Sequence, residues 1–355
     1  MKQLMLLVLV TGMVANVAFG QTAVTGSAPR PISCSDDPLH PIAGKPYDYS
    51  AILSPAAGST YWYATKSTTF VTAGARTATE ILTSPTTILS SATNYRVVAT
   101  NATSPTKTNV TWTSEILKGV DATNPLFMVL EYKGPTCSNN MKVYQVLPKN
   151  AFTVDILNIK SNGLTPLAYG TTDSQCYADI ASAKYDAPTS KMVYDYGINK
   201  LYFEVVAANF TGSFTPSFTL SGLKTGQKVL VEWTVDKTFA SGLTALGAEQ
   251  SATTGTPLNF AGTAVSPSPT VTDLTKGVSI YIRVTVKNGL YEGLTDDKLV
   301  LAVEAVNINN EPDIDNATCA APASTYEDTA EQTLNMRPTV NPDPATGAFV
   351  VQTLP

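Results

Sequence analysis

Few residues in this sequence could support hydrolytic catalysis. His40 is the only histidine among 355 residues, and it precedes Pro41. A histidine in such a segment indicates a surface loop rather than a general base. Ser104 and Lys107 match the S-x-x-K pattern of penicillin-binding enzymes, in which the serine begins a helix. Pro105 lies between them in an Asn- and Thr-rich stretch, so no helix is expected there. The sequence therefore predicts a protein that is not an enzyme.

The densest group of carboxylates contains Glu311, Asp313 and Asp315. Calcium takes six to eight oxygen ligands, and alternating carboxylates near a domain edge can supply several of them. The glycine and the terminal glutamate of an EF-hand loop are missing. Two interpretations stay open: a solvated acidic loop without a cofactor, which we favour, and a calcium site.

The four cysteines are Cys34, Cys137, Cys176 and Cys319. In an exported protein an even number of cysteines indicates disulfides, and four allow three connectivities. We predict the pairs Cys34–Cys137 and Cys176–Cys319, because each bridge would then stay within one predicted domain. The sequence has no C-x-x-C pair, which argues against a zinc site.

Three aromatic residues, Tyr61, Trp62 and Tyr63, are consecutive. Side chains alternate between the two faces of a strand, so the three rings cannot all point into one core. At least one ring should face solvent or a partner, where it would pack against a neighbouring domain or stack on a sugar. We favour packing, and glycan binding is the alternative.

The first 20 residues have the pattern of a signal peptide. Lys2 supplies a positive start, an apolar stretch follows to Ala18, and Ala18 and Gly20 are the small residues of a cleavage site. The apolar stretch is shorter than the roughly 20 residues that span a bilayer. We predict a mature chain that starts at Gln21, has no membrane span, and is exported to the periplasm, the cell surface or the medium.

Charged residues make up only 14% of the chain, and the net charge is −5. Nucleic acid and anionic membrane surfaces are recognised by clustered cationic residues. The composition therefore excludes nucleic acid as a predicted partner.

Alternation with a period of two residues recurs along the chain. Ile280, Ile282, Val284 and Val286 occupy every second position, as expected for a strand with one buried face. Turn signals such as Asn288-Gly289 separate the strands. Because many short strands occur without alternating helices, we predict an all-β fold of tandem antiparallel β-sandwich domains.

The predicted domains follow shifts in composition. We expect a linker over 21–33, a first sandwich over 34–148, a second sandwich over 149–310, and an extended tail over 311–355. Near the end of that tail, Phe349, Val350 and Val351 have strand character and could add to a sheet edge of this chain or of a neighbour.

The stretch from Asn109 to Pro148 resembles the PKD-like and immunoglobulin-like modules of secreted Bacteroidota proteins. The resemblance rests on a strand with Trp112, the apolar strand Phe127–Tyr132, a loop with Cys137, and a last strand that ends at Pro148. The antibody pattern is missing, because no tyrosine stands two residues before Cys137. The resemblance implies a sandwich that serves as a spacer, adhesion unit or assembly unit.

These observations predict a non-catalytic structural or assembly protein of the cell envelope or extracellular space, such as a surface-layer or filament subunit. Its expected partners are copies of itself or other envelope proteins. The alternative is an adhesion module that binds a glycan or a protein.

Overall fold

The computed structural model describes residues 22–34, 36–66, 96–100, 105–134, 139–162, 164–319 and 328–340. Within these ranges the chain is built almost entirely of strands. The strands, in chain order, are β1 (Thr22–Ala23), β2 (Pro46–Ala51), β3 (Ser59–Thr65), β4 (Arg96–Thr100), β5 (Thr106–Thr111), β6 (Leu126–Lys133), β7 (Asn139–Val146), β8 (Thr153–Ile159), β9 (Asp173–Cys176), β10 (Ser182–Asp186), β11 (Lys191–Asp195), β12 (Ile198–Ala208), β13 (Phe214–Ser221), β14 (Lys228–Thr234), β15 (Thr244–Ala245), β16 (Gln250–Ser251), β17 (Leu258–Ala261), β18 (Ser266–Pro267), β19 (Val278–Lys287), β20 (Asp297–Asn307) and β21 (Asp328–Asn335). The described helices are α1 (Ser114–Leu117) and a 3₁₀ turn over Leu274–Lys276.

The first sandwich packs the pair β2–β5 against the four-stranded sheet β4-β3-β6-β7, and every pairing in it is antiparallel. Trp62 and Trp112 fill its core. Both indole nitrogens are satisfied, because Trp62 Nε1 donates to Thr106 Oγ1 at 3.2 Å and Trp112 Nε1 donates to Tyr49 Oη at 3.1 Å. Buried indoles need such partners, so these two bonds fix the orientation of both rings.

The second sandwich has two larger sheets, ordered β15-β14-β19-β12-β8 and β17-β13-β20-β21-β9. The central strands β12 and β19 pair over ten residues, from Ile198 opposite Lys287 to Ala207 opposite Val278. Ile280, Ile282, Val284 and Val286 point into the shared core, as the period-two pattern predicts. Opposite-facing Arg283 pairs with Glu232 across the strands, with Nη2 to Oε2 at 2.8 Å. The all-β sandwich prediction is confirmed.

The segment over 22–33 is part of the second sandwich, although its composition predicts a linker. β1 pairs in parallel with β18, and Val24 forms a bridge with Ser279. Ala23 is fully buried in the core of the second sandwich. A strand of two residues is too short to show an alternating apolar pattern, and the residues around it are rich in Ser, Pro and Gly. The sequence predicts a linker for that reason.

The polar segment after Glu311 also enters the second sandwich. β21 lies between β20 and β9, whereas its composition predicts a surface tail. Its inward positions are Ala330, Gln332 and Leu334, of which Gln332 is polar. Gln332 is buried because its Nε2 donates to Tyr202 O at 2.9 Å, which satisfies the amide inside the core.

The disulfide joins Cys34 to Cys319, with the two Cα atoms 5.5 Å apart. The predicted pairs Cys34–Cys137 and Cys176–Cys319 are therefore wrong. The prediction kept each bridge within one domain, but the N-terminal segment returns to the second sandwich and brings Cys34 with it. Cys176 is a free, exposed thiol at the end of β9, and Cys137 lies outside the described residues.

Candidate functional site

Of the candidate catalytic residues, His40 makes a contact with a neighbouring acid of its own loop. His40 is partly exposed, and its Nδ1 lies 3.0 Å from Asp37 Oδ2 in the loop before β2. Outside these candidates, the buried carboxylate of Asp297 accepts hydrogen bonds from Tyr177 and Tyr291, and Lys224 Nζ lies 3.1 Å from its Oδ1. Burial alone would raise the pKa of Asp297, but these hydrogen bonds and Lys224 outweigh it and lower that pKa. Ser104 of the S-x-x-K match lies outside the described residues.

The three carboxylates considered for calcium binding each accept hydrogen bonds from neighbouring groups of this chain. Glu311 Oε2 accepts a hydrogen bond from Asn307 Nδ2 at 2.8 Å. Asp313 Oδ1 accepts from the backbone N–H of Ala305 at 2.9 Å, and Asp315 Oδ1 accepts from backbone N–H groups of the turn that follows it. Within the described ranges no three His, Cys, Asp or Glu side chains form a group that could hold a metal ion. Calcium binding by Glu311, Asp313 and Asp315 stays an alternative prediction.

The consecutive aromatic residues do not form an exposed platform. Trp62 and Tyr63 are each only 2% exposed, one on each face of β3. Trp62 stacks on Tyr144 with ring centroids 6.3 Å apart. Tyr61 is partly exposed. Burial of Trp62 and Tyr63 agrees with packing, the favoured interpretation, and leaves Tyr61 as the one ring of the three that reaches the surface. The predicted assembly strand of Phe349, Val350 and Val351 lies outside the described residues.

A buried glutamate holds the N-terminal segment on the second sandwich. Glu204, on β12, is fully buried, and its carboxylate accepts hydrogen bonds from the N–H and Oγ of Ser27 and from Oγ of Ser279, at 2.6–2.7 Å. Gly26 passes directly over this carboxylate, where a Cβ atom would lie 2.2 Å from Glu204 Oε1. Only glycine allows the backbone to approach the carboxylate so closely.

An arginine adds a second attachment nearby. The backbone N–H of Arg30 donates to Asp155 Oδ2 at 3.2 Å, and its guanidinium binds both Asp155 and Asp328. Asp155 is fully buried on β8, and Arg30 also lies over the ring of Tyr169 at 5.8 Å. Burial raises the pKa of Asp155, and the charge and hydrogen bonds of Arg30 offset only part of that effect.

We call these contacts and the Cys34–Cys319 disulfide the N-terminal clamp; its residues are Ser27, Arg30, Cys34, Asp155, Glu204, Ser279, Cys319 and Asp328. Its buried acids interrupt apolar strands, as Asp155 does between Val154 and Ile156. A charge inside an apolar run predicts a buried ion pair. That pattern could have identified the clamp from the sequence, although it could not have identified the partners.

The two sandwiches contact each other where α1 meets the loop between β12 and β13. The backbone N–H of Ser114 donates to Thr211 Oγ1 at 2.8 Å, and the N–H of Thr211 donates back to Ser114 Oγ at 2.9 Å. The chain crosses between the sandwiches after Cys34 and again between β7 and β8. Two crossings and a reciprocal pair of hydrogen bonds therefore link them.

One open groove lies on the first sandwich, with a volume of about 520 Å³. Ile52, Leu53, Tyr132, Met141 and Tyr144 supply apolar and aromatic surface to it. Ile52 is 87% exposed, so this rim of the groove is open to solvent. A concave surface of this kind can take a small ligand or an extended segment.

Across the part of the chain that the structure describes, no helix has the length and apolar character needed to cross a bilayer. No protein-family model matches the sequence, and no curated protein matches it.

Several solved structures are similar to parts of this chain at low sequence identity. The N-terminal domain of PorA is 9% identical, with 51% of this chain and 96% of that domain covered and a TM-score of 0.22. BcpA, the major pilin subunit of Bacillus cereus, is 10% identical over 82% of this chain and 69% of its own, with a TM-score of 0.24. CfaE, the adhesive subunit of the CFA/I fimbria of enterotoxigenic Escherichia coli, is 10% identical over 90% and 85%, with a TM-score of 0.29. TM-scores this low do not establish a shared topology, so these likenesses say nothing about the function of this chain.

Proposed function

We propose that this chain is a non-catalytic structural or assembly subunit, exported to the cell surface or the extracellular space. The observation that carries the proposal is the N-terminal clamp. It joins residues near both ends of the described chain through the Cys34–Cys319 disulfide and through Arg30, which binds Asp155 and Asp328.

The disulfide supports export, because such bonds persist in oxidising compartments and are rare in the cytosol. The clamp also supports a mechanical role. It secures the segment that enters the first sandwich, and the second crossing is joined to that segment where the Leu147 N–H donates to Leu39 O at 2.7 Å. A pair of sandwiches held at two crossings suits a spacer or a building block better than an enzyme with a moving lid.

The polar clusters favour the same conclusion. Glu204, Asp155 and Asp297 are the buried acids with the most extensive hydrogen bonding described above, and each binds groups of its own chain. We also propose, from the resemblance of Asn109–Pro148, that the first sandwich is a PKD-like module of the kind found in secreted Bacteroidota proteins.

The mass of the chain in solution tests this function. The protein that starts at Gln21 would be measured by light scattering over a wide concentration range, with and without calcium, and imaged by electron microscopy. We expect dimers or larger assemblies that grow with concentration and do not depend on calcium. A monomer at every concentration would contradict the assembly role.

The groove on the first sandwich favours a second candidate function, an adhesion module for a glycan or an extended peptide. Its aromatic members Tyr132 and Tyr144 are held in place, since Tyr132 Oη donates to Pro55 O and Tyr144 Oη donates to Ser50 O. Saturable binding in a glycan or peptide screen by the monomer, reduced by Ile52→Asp on the open rim, would favour this function.

A further inference from the structure

The hairpin formed by β10 and β11 is separate from both sandwiches' sheets. Its register runs from Ser182 opposite Asp195 to Asp186 opposite Lys191, and residues 187–190 connect the strands. In the part of the chain that the structure describes, no other strand pairs with β10 or β11. Each strand therefore presents one edge of unpaired backbone N–H and C=O groups, which is a template for a further strand.

The hairpin also exposes large apolar side chains. The exposed fraction is 42% for Tyr185, 37% for Met192, 43% for Val193 and 36% for Tyr194. A hairpin of two strands is only marginally stable in water unless more strands or a packed face support it. This hairpin therefore has both the open edges and the apolar surface of an incomplete sheet.

The sequence of β11 is complementary to itself when it runs antiparallel. The strand reads Lys-Met-Val-Tyr-Asp from Lys191 to Asp195. If two copies pair about Val193, Lys191 of each copy lies opposite Asp195 of the other, and Met192 lies opposite Tyr194. Each cross-strand pair is then either of opposite charge or apolar, and both kinds of pair stabilise a sheet.

We propose that β11 pairs antiparallel with β11 of a second copy of this chain, with Val193 on the two-fold axis. The inference rests on the proposed assembly function and names the contact through which two subunits associate. The two hairpins then form one four-stranded sheet in the order β10-β11-β11-β10. Such an interface uses the same residues on both copies, as a two-fold symmetric dimer requires.

The other edge of the hairpin is unsuited to the same pairing. The strand β10 reads Ser-Ala-Lys-Tyr-Asp from Ser182 to Asp186. Antiparallel pairing of β10 with itself places Lys184 opposite Lys184 of the second copy, and like charges directly opposite are destabilising. Charge complementarity therefore selects β11 as the dimer edge.

The exposed side chains of Tyr185, Met192 and Tyr194 lie on one face of the hairpin, and Val193 lies on the other. Tyr185 is opposite Met192, and Ala183 is opposite Tyr194, so the four share one face of the hairpin. Tyr194 stacks on Tyr196 with ring centroids 5.6 Å apart, which holds its ring in place. Pairing of two copies doubles this face and brings the Met192 and Tyr194 side chains of both copies together.

A charge-swap experiment on the full chain tests the proposal. Lys191→Glu alone and Asp195→Lys alone each place like charges opposite one another twice in the dimer. We expect each to weaken the dimer about tenfold, measured as the dimer Kd by sedimentation velocity. The double variant restores opposite charges with reversed sign, and its Kd should return close to that of the parent.

The double variant separates pairing between copies from damage within the hairpin. Lys191 is opposite Asp186 within one hairpin, and Asp195 Oδ1 accepts a hydrogen bond from the Gly197 N–H at 3.0 Å. The double variant loses both of these contacts within the hairpin, so damage to the hairpin would make its dimer weaker than that of either single variant. A return of the Kd toward the parent value must therefore come from pairing between copies. Lys184→Glu is the matched control, because it makes the same charge change on β10 and should leave the Kd unchanged.

Crosslinking gives an independent readout. Residues directly opposite in an antiparallel pair have Cα atoms about 4.5–5.5 Å apart, which is within disulfide range. In a background with both Cys137→Ser and Cys176→Ser, Val193→Cys should therefore form a covalent dimer on mild oxidation. Lys184→Cys in the same background should stay monomeric on a non-reducing gel.

The possible outcomes distinguish this inference from the proposed function. If neither single charge variant changes the dimer Kd, or if the double variant binds as weakly as the single variants, the β11 contact is wrong and the assembly role is unaffected. A parent chain that is monomeric at every concentration would overturn both.

Discussion

Arg30 binds Asp155 through both its backbone and its side chain, across 125 positions of sequence. Asp155 is fully buried, whereas 41% of the Arg30 side chain is exposed. The arginine therefore partly covers an acid that has no access to water, and it fastens the start of the chain to β8.

Removal of the guanidinium should leave Asp155 as an uncompensated buried charge. We expect Arg30→Met to lower the free energy of unfolding by about 3 kcal/mol at pH 7, less than for a fully buried pair because Arg30 is partly exposed. Since burial raises the pKa of Asp155, the penalty should shrink in acid, where the carboxyl is protonated. Urea denaturation at pH 7 and pH 4 measures both effects. The double variant Arg30→Met/Asp155→Asn should regain most of the free energy of unfolding that Arg30→Met loses at pH 7. If the effects of the two substitutions simply add, the two side chains do not stabilise each other as a pair.

Loss of the disulfide should destabilise the fold strongly. The bridge closes a loop of 285 residues, so its removal frees a large amount of chain entropy in the unfolded state. From this chain entropy, we expect Cys34→Ser to lower the free energy of unfolding by roughly 5–6 kcal/mol, and a reductant to have the same effect on the parent. Cys176→Ser is the control, because Cys176 is a free thiol and its replacement should leave the denaturation midpoint unchanged. Equal stability of Cys34→Ser and the parent would contradict the observed pairing.

Asp313 should make the protein more stable in mild acid. Burial is the largest cause that raises its pKa, from 3.8 to about 6. A raised pKa favours the neutral carboxyl in the folded state, so this contribution is complete below about pH 4 and is lost as the pH rises through 6. Asp313→Asn keeps an oxygen that can accept the hydrogen bond from Ala305 and removes the buried charge. We expect a gain of about 2 kcal/mol at pH 8 and no gain at pH 4, by thermal or urea denaturation. An equal gain at both values would show that ionisation is not its cause.

Trp62 should behave as a core residue and not as a ligand-binding one. It is 2% exposed, and its ring packs on Tyr144. We expect Trp62→Ala to lower the free energy of unfolding by about 3–5 kcal/mol, since it leaves a cavity and removes the donor to Thr106. Tyr61→Ala, on the partly exposed neighbour, should cost far less in the same urea titration. Comparable losses for both variants would contradict the assignment of the two rings to core and surface.

Regular alternation made the fold predictable. The run from Ile280 to Val286 identifies β19 because apolar residues recur at every second position, and the same reasoning leads to the all-β sandwich. Strands that are very short or that contain buried polar residues were not predicted from alternation. β1 has only two residues, and β21 buries Gln332 where the pattern requires an apolar residue. Both strands belong to the second sandwich, and this is why the predicted linker and tail differ from the structure.

The candidate site was far less predictable. Residue type points to Trp62 and Asp313 as candidate ligand-binding groups, yet burial assigns both to the interior. A sequence gives no distance between Cys34 and Cys319, so a choice among three disulfide connectivities rests on the assumed domain limits. The complementarity of Lys191 and Asp195 is visible in the sequence, but it acquires meaning only when the edge of β11 is known to be unpaired.

The parallel pairing of β1 with β18 has a consequence for a chain that leaves a translocation channel N-terminus first. Thr22 and Ala23 emerge early, but Ser266 and Pro267, with which they pair, arrive only after most of the chain has followed. Cys34 must likewise wait for Cys319, 285 positions later. The first segment to arrive is thus the last to be secured.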